Sequence, residues 1–181
     1  MRKVTFGGAN SLDNFIARED HAVDWLMWSK EAADYMTRYW KTIDTVLWGR
    51  KTYEVALKGG GVGSYGNIKN YVFSRTLKKT KEKNVEIVSE DAGKFVRKLK
   101  KQKGKDICVM GGGELANSLL EADVIDEIGL NIHPVLLGSG IPLFLPMKRQ
   151  VNLELRECKP FKNGCVLVLY DVKHRGGRSR K

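Results

Sequence analysis

Apolar and polar positions along the chain alternate between two periods. Short apolar runs, "DTVLWG" (44–49), "NYVFS" (70–74), "VEIV" (85–88) and "DICVM" (106–110), are bounded by turn residues and read as strands. Between them lie stretches with apolar residues three and four apart. Residues 29–40 carry Ala32, Tyr35, Met36 and Tyr39 along one side, with Ser29 as N-cap, and predict a helix. A second helix, "RKTYEVAL", starts directly after Gly49, and the glycine-rich "GGGVGSYG" (59–66) follows it as a loop. The stretch "KFVRKLKKQKGK" (94–105) sets Phe95, Val96 and Leu99 at helical spacing, and "ELANSLLEA" (114–122) does so with Leu115, Leu119 and Ala122. Lys3 to Gly7 is a first strand. In "DEIGLNIHPV" (126–135), Ile128, Leu130 and Ile132 alternate inward. "LELRECKPF" and "CVLVLYDV", joined by Lys162-Asn163-Gly164, make a closing β-hairpin. This order predicts an α/β domain with a mixed sheet, parallel units first and an antiparallel hairpin last.

Length and composition fit one domain. The 181 residues include 42% hydrophobic residues and four Trp, enough for a sizeable core. Residues 1–174 are expected to form that domain and 175–181 a basic, disordered tail. No run approaches the roughly 18 apolar residues of a membrane span, and the first residues hold no apolar signal core, so a cytoplasmic protein is expected. Cys108, Cys158 and Cys165 are odd in number and form no C-x-x-C. Free thiols are expected, with no metal site. The net charge of +11 gathers in two places: seven positive charges between Lys94 and Lys105, and four in "HRGGRSRK". The first reads as the solvated face of an amphipathic helix. Nucleic-acid binding is the lesser alternative, because no aromatics are interleaved with these lysines.

The stretch "VMGGGELANSLL" changes the picture most. Gly111 to Ala116 fits G-x-G-x-x-A, the dinucleotide fingerprint, but the acid expected about 20 residues on, at the end of the next strand, is missing; position 131 is Asn131. A glycine turn at a helix start still favours a phosphate, through outward N–H groups and the helix dipole. A tight turn needing glycine only for its φ angles is the competing reading. Two further strand ends carry similar groups. "LWGRKTYE" sets Arg50, Lys51 and Thr52 at a helix start after Gly49, and "YVFSRT" ends on Ser74 and Arg75. Three such ends suit one extended anionic ligand across the C-terminal edge of a sheet.

Taken in order, "SLDNFIA" (11–17), "WGRKTYE", "VFSRTL", "VMGGGELANSLLE" and "ADVIDEIGLNIHPVLLGSGIPLF" (122–144) resemble the dihydrofolate reductase superfamily, in the branch holding the reductase domain of riboflavin biosynthesis. The resemblance spans Lys3 to Val172. Two departures are Asn14, where glycine is usual, and Ala116, where folate reductases carry tyrosine. The resemblance implies a three-layer α/β/α fold on a mixed, mostly parallel eight-stranded sheet, with NADPH as cofactor. Gly49, Arg50, Lys51 and Thr52 would bind its phosphates, and Ser74 and Arg75 the adenosine 2′-phosphate. Gly111, Gly112 and Gly113, with Glu114 and Leu115, would cradle the pyrophosphate, with a cis peptide at Gly111–Gly112. Ala9 and Ile16 would flank the nicotinamide. Asp34 aligns, with one residue dropped, to the acid of folate-reducing members; Asn131 and Trp28 fall near their substrate positions. An exposed helix carboxylate is the alternative for Asp34, and Asp24 or water are alternative proton sources. His133 reads as structural, and Asp13 as fixing the first loop. The implied activity is hydride transfer to a small heterocyclic or carbonyl substrate, of pteridine or ribosylamino-pyrimidine type. No deaminase half is expected. A homodimer is implied, with the C-terminal hairpin offering an edge. The alternatives are a non-catalytic NADPH- or nucleotide-binding module and a nucleic-acid-binding protein.

Overall fold

The computed structural model describes residues 1–59, 62 and 68–176. In chain order the elements are β1 (Val4–Ser11), β2 (Phe15–Ala17), α1 (Lys30–Lys41), β3 (Ile43–Gly49), α2 (Arg50–Lys58), β4 (Lys69–Phe73) and β5 (Val85–Val88). They continue with α3 (Ala92–Lys100), β6 (Asp106–Gly111), α4 (Gly113–Glu121), β7 (Glu127–His133), β8 (Ile141–Pro142), β9 (Leu153–Pro160) and β10 (Val166–Val172). Eight strands form one sheet in the order β5-β4-β3-β6-β1-β7-β10-β9, and β2 pairs with β8 in a small second sheet. Every neighbour pair from β5 to β7 is parallel; β10 runs antiparallel to both β7 and β9. The expected mixed, mostly parallel sheet with a closing hairpin is therefore present. Apart from Gly59 and Val62, the expected loop at 59–66 lies outside the described residues, as does the tail beyond Gly176.

Helices cover both faces. On one, Val96 and Leu99 of α3 and Leu115 and Leu119 of α4 pack over Val4, Phe6, Leu47, Ile107 and Val109. On the other, Tyr53 of α2 and Tyr39 and Trp40 of α1 lie over Ile43, Val46, Trp48, Val72 and Cys108. Burial on both faces explains why β3 reads as a continuous apolar run. The helix starts differ in a way that matters below. Ser29 Oγ accepts the Ala32 N–H at 3.1 Å and caps α1; Asp91 Oδ1 accepts the Lys94 N–H at 2.8 Å and caps α3. α2 and α4 begin on Gly49 and Gly112, with no side-chain cap.

Three elements differ from expectation. β1 runs on to Ser11, because it pairs with β7 as far as the Ser11–His133 register. The lysine-rich helix stops at Lys100, with Lys101 as C-cap and Gly104 at φ +154°. Lys100 is buried rather than solvated: its Nζ lies 2.7 Å from both Asp126 carboxylate oxygens and 3.1 Å from the Val124 carbonyl. Finally, α1 is strongly amphipathic yet has no buried residue. Its apolar face is only partly packed on the sheet, and a cavity lies between the two.

Candidate active site

Three parallel strands end together at the C-terminal edge of the sheet, and two deliver glycine turns that touch. A Cβ at Gly49 would lie 2.8 Å from the Gly112 nitrogen and 3.2 Å from the Gly111 carbonyl oxygen; one at Gly112 would lie 3.0 Å from Thr52 Oγ1. Only glycine lets the two turns approach this closely. The Gly111–Gly112 peptide is cis, and Gly111 has φ +103°. The first turns of α2 and α4 thus start side by side, with backbone N–H groups left uncapped and both helix dipoles pointing positive ends at the same edge. That arrangement suits a pyrophosphate. Arg50 and Lys51 are exposed, Arg50 lying 3.5 Å from Glu54 along α2. At the end of β4, Ser74 Oγ accepts N–H groups from Thr76 (3.2 Å) and Leu77 (2.9 Å), shaping a turn on which Arg75 is exposed.

Beside this edge, a cavity of about 410 Å³ lies between α1 and the sheet. Its floor is one sheet face, recognisable by its period of two: Thr5, Gly7 and Ala9 of β1 stand in register with Glu127, Gly129 and Asn131 of β7. Leu167 and Leu169 of β10 pair with Asn131 and Gly129 and extend the floor. The opposite face of β7 carries Ile128, Leu130 and Ile132 against the core. Tyr35, Met36, Tyr39 and Trp40 of α1 form the roof, and Trp28, 81% exposed, stands at the mouth. The floor is bare at its centre because a Cβ at Gly7 would lie 1.9 Å from the Gly129 carbonyl oxygen.

The cavity has two polar ends. At the deep end, Glu127 is held by Lys3 Nζ at 2.6 Å and by the Arg156 guanidinium, which also lies 3.3 Å from Asp171. Burial pushes the Glu127 carboxyl up, but the bonds from Arg156 and Lys3 outweigh it, and its pKa falls below the ordinary glutamate value. Burial raises the Tyr39 phenol and pushes the Cys108 thiol up to about 11, so both stay protonated near neutral pH. At the mouth, His133 is buried, and burial lowers its pKa, so the ring is neutral. Its Nδ1 accepts the Met27 N–H at 3.2 Å, which puts the ring proton on Nε2. The Asn131 amide lies 3.3 Å from Nε2. As placed, the nitrogen faces the ring and the enclosed Oδ1 has no partner among the described residues; turned over, Oδ1 accepts from Nε2–H, the arrangement that matches a proton on Nε2.

Sequence and structure agree unevenly on the candidate residues. Gly49, Arg50, Lys51, Thr52, Gly111, Gly112, Gly113, Glu114 and Leu115 meet at the two helix starts, with Leu115 buried and Glu114 exposed. Ala9, Trp28 and Asn131 line the cavity; Ile16 lies on β2 and packs against the core beside it. Asp34 lies elsewhere. It sits on the solvent side of α1, its side chain half exposed and 2.9 Å from Lys30, and it is not among the cavity residues. A position on the roof side was required, and Ala32 and Tyr35 occupy that side instead. Asp24 is exposed and paired with Arg18 at 2.8 Å. Asp13 accepts bonds from Ser11 Oγ (2.6 Å) and from the Leu137 and Gly138 N–H groups (3.2 and 2.7 Å), tying the first loop to the segment after β7. Sequence reasoning missed Gly7, Gly129, Glu127 and Arg156. The signal lay in "EIGLNIH", whose second face is Glu, Gly, Asn, His rather than the mixed polar set of a solvated strand.

Sheet order, crossover pattern and the glycine-edged cleft together define a dihydrofolate-reductase-like domain. Residues 2–167 match the family model of the RibD C-terminal domain, and the chain belongs to that family. Two proteins of Bacillus subtilis (strain 168) are similar along nearly the whole length. The uncharacterized protein YwjB is 37% identical over 173 residues, covering 95% of this chain and 98% of YwjB. The uncharacterized protein YyaP is 32% identical over 181 residues, covering 94% and 95%. Among solved structures, a putative riboflavin biosynthesis protein from Shewanella sp. PV-4 superposes with TM-score 0.83 at 23% identity, covering 96% of this chain and all of that one. A diaminohydroxyphosphoribosylaminopyrimidine deaminase/5-amino-6-(5-phosphoribosylamino)uracil reductase from Thermotoga maritima superposes with TM-score 0.70 at 16% identity, covering 95% of this chain and 57% of that one.

Proposed function

We propose that the chain is an NADPH-dependent reductase acting on a small heterocyclic or carbonyl compound held under α1. The observation that carries this reading is the pair of uncapped helix starts, interlocked at Gly49 and Gly112 and opening beside the cavity. Gly49 to Thr52 and Gly111 to Leu115 hold the pyrophosphate, Ser74 and Arg75 meet the 2′-phosphate, and Ala9 and Ile16 flank the nicotinamide. When bound, NADPH supplies the hydride and leaves as NADP⁺. The carbon of a C=N or C=O bond gains that hydride, the π bond breaks, and the heteroatom takes a proton. Among the described lining residues the one carboxyl group, Glu127, is held ionised, so the proton comes from a group other than a carboxyl, with water entering past Trp28 as its source in this reading. The riboflavin-biosynthesis names of the structural neighbours support the reductase class. The three free cysteines suit a reducing cytoplasm, and no described helix is long and apolar enough to cross a membrane. β9, the outer strand of the sheet, exposes Leu153 and Leu155 and is the edge on which a second copy pairs.

Titration of the protein with NADPH and NADH, followed by cofactor fluorescence, tests the reading. NADPH should bind at least tenfold tighter. Equal binding removes the role given to Arg75, and binding of neither removes the reductase. A second reading, an NADPH-binding module without turnover, draws on the lack of a protonated carboxyl among the described lining residues. It requires NADPH binding with no oxidation across a panel of pteridines and carbonyl compounds.

A further inference from the structure

We infer that the compound taken into this cavity is a planar, uncharged ring system without a phosphate group. The inference rests on the reductase reading and names its substrate class.

Three observations carry it. The first is the inventory of charge. Among the described residues lining the cavity the one cation is Arg156, and it is already committed to Glu127 and Asp171. Lys3 lies against the same glutamate at 2.6 Å. Two cations and two carboxylates balance at this end, so a phosphate entering there would meet Glu127 with both cations already paired.

The second is the state of the helix start at the mouth. Ser29 already caps α1, whereas α2 and α4 on the cofactor side are uncapped. Two exposed cations, Lys30 and Arg18, pair with Asp34 at 2.9 Å and with Asp24 at 2.8 Å. The uncapped helix starts thus belong to the glycine edge, and the helix start beside the substrate side is capped.

The third is shape. Gly7 and Gly129 stand opposite each other in register, leaving bare peptide planes at the centre of the floor. Tyr35, Met36 and Tyr39 face this floor from the roof, and Leu167 and Leu169 continue it. A flat ring lies between peptide planes and aromatic or thioether side chains with all of its apolar faces covered. From Thr5 to Ala9 the slot runs four strand residues, roughly 13 Å. That length fits two or three fused rings, with the Asn131 side chain among the lining. The substrate therefore differs from the phosphoribosyl compound in the name of the Thermotoga maritima protein.

A matched pair of probes tests this: 5-amino-6-(ribosylamino)uracil and its 5′-phosphate, with pterin as the bare ring. Each is titrated into the full chain saturated with NADP⁺, and quenching of tryptophan fluorescence is read, since Trp28 and Trp40 line the cavity. Pterin and the unphosphorylated compound should quench, with the phosphate ester at least tenfold weaker. Met36→Arg, which adds an uncommitted cation to a partly exposed roof position, should tighten the ester at least fivefold relative to pterin. An ester that binds wild type as tightly as its parent overturns the inference, as does an ester affinity unmoved relative to pterin by Met36→Arg. Failure of all three probes while NADPH still binds overturns the substrate class alone; loss of NADPH binding in the parallel titration overturns the reductase reading beneath it.

Discussion

The contact between Gly49 and the Gly111–Gly112 turn yields the sharpest prediction, through Gly49→Ala. Gly49 has φ −74° and ψ 147°, an extended conformation open to any residue. Alanine there costs nothing in backbone strain, and its lower unfolded-state entropy would by itself stabilise the fold by about 0.4–1 kcal/mol. The opposing effect is steric. The new Cβ would lie 2.8 Å from a backbone nitrogen and 3.2 Å from a backbone oxygen, neither of which can rotate away. To restore ordinary contact, the starts of α2 and α4 must part by roughly half an ångström, at an overpacking cost of about 1–3 kcal/mol. For a chain of this length each kcal/mol lowers Tm by about 2–4 °C. Separation also takes one set of N–H groups out of reach of a shared pyrophosphate. Losing one charge-assisted hydrogen bond, worth about 1.5–3 kcal/mol, weakens NADPH binding roughly 10- to 100-fold. Thermal unfolding and cofactor titration measure the two effects on the same sample. Gly59→Ala, at the far end of α2, is the control, because its nearest atoms would be 3.8 and 3.9 Å away. If Gly49→Ala unfolds within a degree of wild type and binds NADPH within twofold, the interlocked helix starts are not the cofactor site.

Further predictions test other parts of the structure. Arg75→Ala, at an exposed turn, should weaken NADPH about tenfold and leave NADH and Tm unchanged, as paired titrations would register. Ser29→Ala removes the α1 cap and should cost about 1 kcal/mol in urea unfolding. Glu127 has a depressed folded pKa, so its stabilising contribution is present above the unfolded value of about 4.3 and lost as pH falls through the lower folded value. Glu127→Gln should therefore flatten the acid limb of a stability–pH curve while lowering stability at pH 7, where Arg156 and Lys3 lose their counter-charge. Sedimentation should give twice the 20.4 kDa chain mass, and Leu155→Lys on the outer strand should shift it towards the monomer.

The glycine-turn half of the candidate site was legible because backbone builds it. Glycines at 49 and 111–113, set between an apolar run and a helix, announce a turn, an uncapped helix start and a close approach all at once. The substrate half was not, because side chains from five strands, α1 and a loop build it, and no single segment carries its pattern. Asp34 shows the difficulty. Helical periodicity put it on α1 but left open which face that helix presents, and a rotation of one residue separates the roof from solvent. α1 is also the element whose apolar stripe misleads most, since a stripe facing a cavity and one packed into a core have the same sequence. β7 held the better clue. Its inward isoleucines and leucine were read correctly, and the Glu-Gly-Asn-His row on the other face needed only the question of what covers it.

The place where the two halves meet follows from the order of the strands. β3 hands over to α2 on one face of the sheet, while its neighbour β6 hands over to α4 on the other. Adjacent parallel strands whose helices leave in opposite directions open a crevice at their carboxyl ends, the position where α/β sheets bind ligands. Gly49 and Gly112 are the lips of that crevice, and their lack of side chains keeps it narrow enough for both helix starts to reach one anion. β6 then serves both sites with consecutive residues: Met110 forms the cavity wall and Gly111 begins the cradle. In the proposed reading, a phosphate-bearing cofactor on Gly111 would be held one residue from whatever lies against Met110 and Ala9. The proposed transfer between two bound molecules would depend on that separation, which a single peptide unit within a central strand of the sheet sets, not a loop that must close.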